Sequence, residues 1–172
     1  GEKIILGNRS WIVRVGNGHA PEHLTLWCED EPIVIAGDQI ISSISPNLGV
    51  YATEPEADPV QEWLTSCEAF LPFSNDKQLV LPGHKLPFYG LPHRLKQLIE
   101  NHHSALKRLV AFLKEPQTAV DCFPVLFNRK ISDNEYGLAL VEAVAHLNHL
   151  YRKKIVKREL NINGAYVYTL KN

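Results

Sequence analysis

Ile33-Val34-Ile35-Ala36-Gly37-Asp38 is an apolar, β-branched run that ends on a glycine and a carboxylate. β-Branched residues suit a pleated, half-buried strand. A glycine after such a run lets the backbone turn sharply and aims the next side chain off the sheet edge. Two further stretches share this grammar. Gln78-Leu79-Val80-Leu81 runs into Pro82-Gly83-His84, and Trp11-Ile12-Val13-Arg14-Val15 runs toward Gly18-His19-Ala20-Pro21-Glu22-His23. Loops that leave strands at one sheet edge converge in space. Neutral imidazole and carboxylate are ordinary zinc ligands, and an aspartate can bridge two metals. Taken singly, His19 and His84 read as loop histidines and Asp38 as a turn residue satisfying backbone N–H groups. Taken together, they form a candidate metal-binding set.

Around these loops the sequence predicts strands at 3–6, 11–15, 24–28, 32–36 and 78–81. Residues 38–57, with Ser42, Ser43, Ser45, Pro46, Asn47 and Gly49, read as a long loop, and loops of that length are often functional. Asp58-Pro59 predicts a helix start, with Asp as N-cap and Pro in the first position, running to about Phe70. From Leu91 the period becomes helical. Leu95, Leu98, Ile99, Leu106, Leu109, Val110 and Leu113 mark a long helix ending near Pro116. A short helix over 118–127 follows. A third starts after Ser132-Asp133 and runs to about Lys153, with Leu138, Val141, Val144, Ala145, Leu147 and Leu150 inward. Strands at 155–160 and 166–170, with a turn at Asn163-Gly164, close the chain as a hairpin. The division expected is 1–90 and 91–172.

With 172 residues and 45% apolar content, the chain can build one moderate core, or a small domain plus an incomplete one. A net charge of -1 favours neither nucleic acid nor anionic membrane globally. No stretch has the length and apolarity of a membrane span, and no signal peptide is visible. Three well-separated cysteines, Cys28, Cys67 and Cys122, suggest reduced thiols and a cytoplasmic protein. There is no methionine, so a piece of a longer protein is expected.

The order strand, GHxxxH, hairpin, GD, loop, helix, strand, PGH resembles the second half of the metallo-β-lactamase superfamily. The nearest likeness is its glyoxalase-II-like branch with a winged-helix extension. The resemblance spans essentially the whole chain. It implies an α/β fold: the C-terminal half of an αββα sandwich over 1–90, then a winged-helix-like domain with a terminal hairpin over 91–172. It implies His19 on a first metal, Asp38 bridging as the catalytic ligand, and His84 on a second metal. The metals implied are two zinc ions, with iron or manganese as alternatives, and the reaction is cleavage of a thioester, ester or phosphodiester. The family's HxHxDH signature is absent from this chain. The expectation is therefore that a preceding segment carries it, and that this chain alone binds metal weakly and turns over nothing.

Other residues have ordinary readings. His23 suits a structural role in its loop. His102 and His103 suit a helix surface, with substrate contact implied only by the resemblance, and Asn47 could line a cleft. His146 and His149 suit the boundary of an amphipathic helix. The basic run Arg152-Lys153-Lys154 with Lys157 and Arg158 complements a helix C-terminus. The alternative to a hydrolase is a nucleic-acid-binding or dimerisation module in the tail. The partners expected are the missing N-terminal segment, a small-molecule or RNA substrate, no membrane, and a second copy, because an uncovered apolar sheet recruits a partner.

Overall fold

The apolar runs pair as the strand periodicity requires. A computed structural model describes residues 1–171, which divide into two units: residues 1–46 with 62–99, and residues 47–61 with 100–171. The first unit is built on a five-stranded sheet in the order β1 (Lys3–Leu6), β2 (Arg9–Gly16), β3 (His23–Cys28), β4 (Ile33–Gly37) and β5 (Leu79–Pro82). The β1 to β4 pairings are antiparallel and β4–β5 is parallel. Parallel neighbours need a long crossover. Here it is residues 38–78, which include α1 (Pro59–Phe70). Val34 and Ala36 on β4 and Val80 on β5 are buried, and Trp27 packs on Phe70 at 5.7 Å between ring centroids.

The segment after Asp38 has no regular structure, as its composition predicts, yet Ile40, Ile41 and Leu48 are buried. Its backbone needs partners, and a buried arginine supplies them. α2 (Leu91–Phe112) places Arg94, 8% exposed, against this loop. Its guanidinium donates to Ile41 O at 2.7 Å and Ile44 O at 2.8 Å. Burial holds its pKa below the ordinary arginine value. Arg94→Met keeps the stem volume but strands two carbonyls, so unfolding free energy should fall by about 2–4 kcal/mol in urea melts. A change under ~0.5 kcal/mol, the size expected of a surface substitution, would show that the loop stands without it.

The second unit holds the rest of α2, then α3 (Phe123–Phe127), α4 (Tyr136–Arg152) and the hairpin β6 (Val156–Leu160) with β7 (Tyr166–Leu170). Two local expectations are corrected. The short helix is only Phe123–Phe127, because the Thr118 N–H and hydroxyl both donate to the Asp121 carboxylate, a local turn that competes with helix. Leu138 is 57% exposed rather than inward, and the buried face of α4 runs through Ala139, Ala143, His146 and Leu150. The hairpin forms where it is expected, with a connection of five residues, 161–165, in which Asn161 Oδ1 accepts the Asn163 and Ala165 N–H groups. Gly164 still adopts a positive φ of 76° within it.

Asp58 caps α1 as its sequence predicts: Oδ1 accepts the Gln61 N–H at 3.0 Å. Asp58 also receives Nδ1–H of His149 on α4 at 3.0 Å. Burial raises the Asp58 pKa, but the bonds from His149 and Gln61 outweigh it and leave the carboxyl below its ordinary value.

Candidate metal centre

Asp38 and His84 follow β4 and β5, whose parallel register pairs Gly37 with Pro82. Parallel strands end on the same edge, so the two side chains emerge together. His84 Nδ1–H donates to Asp38 Oδ1 at 2.6 Å. His19 leaves the β2–β3 loop and brings Nε2 to 3.9 Å from Asp38 Oδ2. The structure therefore gathers His19, Asp38 and His84 around the central carboxylate. Its side chain and that of His19 are each 27% exposed, and His84 is 68% exposed.

The backbone is shaped for this approach. A Cβ on Gly83 would lie 2.6 Å from Asp38 Oδ1, and one on Gly37 would lie 2.5 Å from His23 Nε2. Gly37 also has φ 53°, where a side chain is strained. His23 thus packs against the turn that carries Asp38, and burial, then the His19 charge, push its pKa below the ordinary histidine value. That keeps it a neutral ring supporting the loop.

Two supporting residues were not legible in the sequence. Gln39, fully buried, turns back from Asp38 and donates Nε2–H to Asn17 O at 3.2 Å in the His19 loop. Gly16 leaves room for it, since a Cβ there would meet Gln39 Cδ at 2.5 Å. Ser66 on α1 accepts the Asn17 N–H at 2.8 Å. Trp63 Nε1–H reaches Gln39 O at 3.3 Å. One local signal existed for Gln39: a polar residue beside a motif aspartate, followed by Ile40-Ile41.

The remaining candidates belong to the second unit. His102, expected on a helix surface, is 4% exposed and its Nδ1 lies 3.1 Å from His146 Nε2. His103 is exposed. Asn47 gives its amide to Leu138 O at 3.1 Å and to Glu142 Oε2 at 2.8 Å. His146 and His149, expected at a helix boundary, are 1% and 6% exposed. Within the basic run, Arg152 reaches Glu56 O, while Arg158 pairs with Glu56 at 2.8 Å and lies over the Tyr151 and Tyr166 rings.

The donors at Asp38 fit a divalent metal in kind, being two imidazoles and a carboxylate. They are not arranged as a ligand set: among the described residues no group of three or more His, Cys, Asp or Glu side chains is placed to hold a metal ion.

Residues 106–171 match the family described as metallo-beta-lactamase-like, C-terminal domain. A crystal structure of a beta-lactamase domain protein from Burkholderia ambifaria is 34% identical, with a TM-score of 0.94, over 99% of this chain and 50% of that one. These likenesses support the metallo-β-lactamase superfamily. A metallo-beta-lactamase family protein from Thermus thermophilus is 27% identical with a TM-score of 0.84, over 99% of this chain and 52% of that one. The probable metallo-hydrolase YqjP of Bacillus subtilis (strain 168) is 23% identical over 169 residues, covering 96% of this chain and 52% of that protein. The chain spans about half the length of each of these relatives. Among the described residues no helix is long and apolar enough to cross a membrane.

Proposed function

We propose that this chain is the part of a metal-dependent hydrolase that supplies His19, Asp38 and His84 to a two-metal centre, and that a further segment of the same protein supplies the other ligands. The observation that carries this reading is the Asp38 carboxylate lying between His84 at 2.6 Å and His19 at 3.9 Å, on the shared edge of parallel β4 and β5. When bound, divalent metals polarise a carbonyl or phosphoryl oxygen and activate water. Asp38 would lie between the two metals, His19 would serve one and His84 the other. Gln39, Ser66 and Arg94 hold the loops in register. Zinc is the proposed metal, and a thioester, ester or phosphodiester the proposed substrate class. The glyoxalase-II-like branch and the winged-helix reading of the second unit belong to the same proposal.

An apolar hollow of about 570 Å³ in the first unit, lined in part by Ile4, Val13, Val15, Leu24 and Leu26, supports a further segment. Val15 and Leu24, paired across β2 and β3, are 49% and 59% exposed, apolar surface that a covering segment would bury.

Zinc titration against a chromophoric chelator tests the proposal. The isolated chain should lose zinc to a chelator of micromolar affinity and show no esterase or phosphodiesterase turnover, whereas the whole protein should retain its zinc. Tight binding of two zinc ions by the isolated chain would remove the need for outside ligands and sink the reading.

A further inference from the structure

The second unit contains a hollow of about 490 Å³ that the proposed metal chemistry does not use. That volume lies within the range of small-molecule sites. Its apolar lining is Leu106 and Val110 from α2, Leu150 from α4, and Ile155. Lys107 and Lys153 also line it, with Glu100 as the carboxylate among its lining residues. Glu100 accepts a bond from the Ser104 hydroxyl at 3.2 Å. Neither lysine forms a salt bridge among the described residues, so the hollow carries a net positive charge.

His103 and His149 also line the hollow, and His149 is held in a fixed orientation. The ring is 6% exposed, and Asp58 takes its Nδ1–H at 3.0 Å. A carboxylate only accepts, so Nδ1 carries a proton and Nε2 is the ring atom left for another partner. His149 lines the hollow and Asp58 does not, which is the arrangement expected if the Nε2 edge meets it. Nε2 has no protein partner among the described residues and is not among the fully inaccessible polar atoms. A polar ring atom held in place by a second residue calls for a hydrogen-bonding partner from outside the protein. The hollow offers no serine, threonine or cysteine nucleophile, which makes it a binding site rather than a reactive one.

We propose that this hollow binds a medium-chain hydroxy acid. The alkyl chain lies on Leu106, Val110, Leu150 and Ile155, the carboxylate faces Lys107 and Lys153, and a chain hydroxyl, which both donates and accepts, hydrogen-bonds His149 Nε2. The ligand is a free small molecule, with no covalent step.

Calorimetric titration of the full chain with 3-hydroxyoctanoate, octanoate and 3-hydroxyoctanamide tests this. 3-Hydroxyoctanoate should bind saturably. Octanoate, lacking the hydroxyl, should bind roughly fivefold more weakly, and the neutral amide at least about tenfold more weakly, as expected for one neutral and one charge-assisted hydrogen bond. The double variant Lys107→Gln, Lys153→Gln should also lose about tenfold or more, while the charge-matched Lys130→Gln, Lys171→Gln stays within about twofold. All four lysines are on the surface, so folding is not at stake. Absence of saturable 3-hydroxyoctanoate binding overturns the proposal. Equal losses in the two double variants, or equal affinity for the acid and its amide, overturn it as well.

Discussion

Asp38→Asn in the whole protein should lower hydrolytic kcat/KM by more than the ~10–100-fold typical of changes one layer outside a metal's ligands. The substitution keeps the shape of the side chain and removes its charge. Asp38 lies between His19 and His84, so its loss acts on both halves of the proposed centre, whereas His84→Gln acts on one. The carboxylate is also the only negative charge of the trio, and gathering two cations without it is electrostatically costly. Zinc content measured after desalting should fall in parallel with activity. Stability should not: Asp38 is partly exposed, and its hydrogen-bond partner His84 is largely in solvent, so the unfolding free energy should move by no more than ~0.5 kcal/mol. A variant that keeps its zinc and hydrolyses within tenfold of the parent would remove Asp38 from the chemistry.

Acidification should destabilise the second unit well before ordinary carboxylates titrate. His146 Nδ1 lies 2.9 Å from Glu142 O, and a carbonyl only accepts, so that nitrogen carries the proton. His146 Nε2 is then the acceptor, and His102 Nδ1–H donates to it across nearly parallel rings 5.2 Å apart. Both rings are neutral; a proton on His146 Nε2 breaks this chain, and one on His102 Nε2 places a charge in the buried pair. Burial pushes His146 down to about 4 and His102 down to about 3. The unfolded chain binds protons near pH 6.5, so it gains them first as pH falls. Stability is therefore full above pH 6.5 and declines below it, by about 1.4 kcal/mol per pH unit for each histidine.

Glu142 works in the opposite direction. Burial pushes its carboxyl up to about 7, against the bond from Asn47. It holds a proton in the folded state that the unfolded state lacks between its ordinary value of 4.5 and 7, so acidification through that window favours folding. The net loss from pH 6.5 to 4.5 is then about 3 kcal/mol. Carboxylates with depressed values, such as Asp58 and Asp121, lose their contribution at lower pH. Urea unfolding followed by far-ultraviolet circular dichroism checks the slope. Glu142→Gln should roughly double it, and His146→Leu should flatten it. A Glu142→Gln protein with a flat midpoint between pH 6.5 and 4.5 would show that the histidine pair is not held neutral.

The sheet was legible because its signals are local. β-Branched runs mark strands, Gly7-Asn8 and Glu29-Asp30-Glu31 separate them, and all five expected strands form. Asp38 and His84 were legible for the same reason, since each follows a strand and a glycine. Their supports were not. Arg94 bonds carbonyls about fifty residues away, and Gln39 holds Asn17 across the β2–β3 loop. α4 was misread on its polar side because periodicity ranks histidine and asparagine as boundary residues. His146, Asn148 and His149 are buried because distant groups satisfy them: His102, Pro55 O with Ala57 O, and Asp58. No count of apolar spacing contains those partners.

The parallel β4–β5 pairing also sets an order of assembly. The antiparallel ladders from β1 to β4 close through short turns and need little chain entropy. β5 joins β4 only after the chain has travelled through the 38–78 crossover and its helix, a closure whose entropic cost is met before any contact rewards it. The Asp38–His84 bond exists only once that has happened. Hydrogen-exchange labelling during refolding should therefore find the meander amides protected ahead of those of β5. The candidate metal centre is a late product of folding, and its formation reports that the whole first unit has reached its native topology.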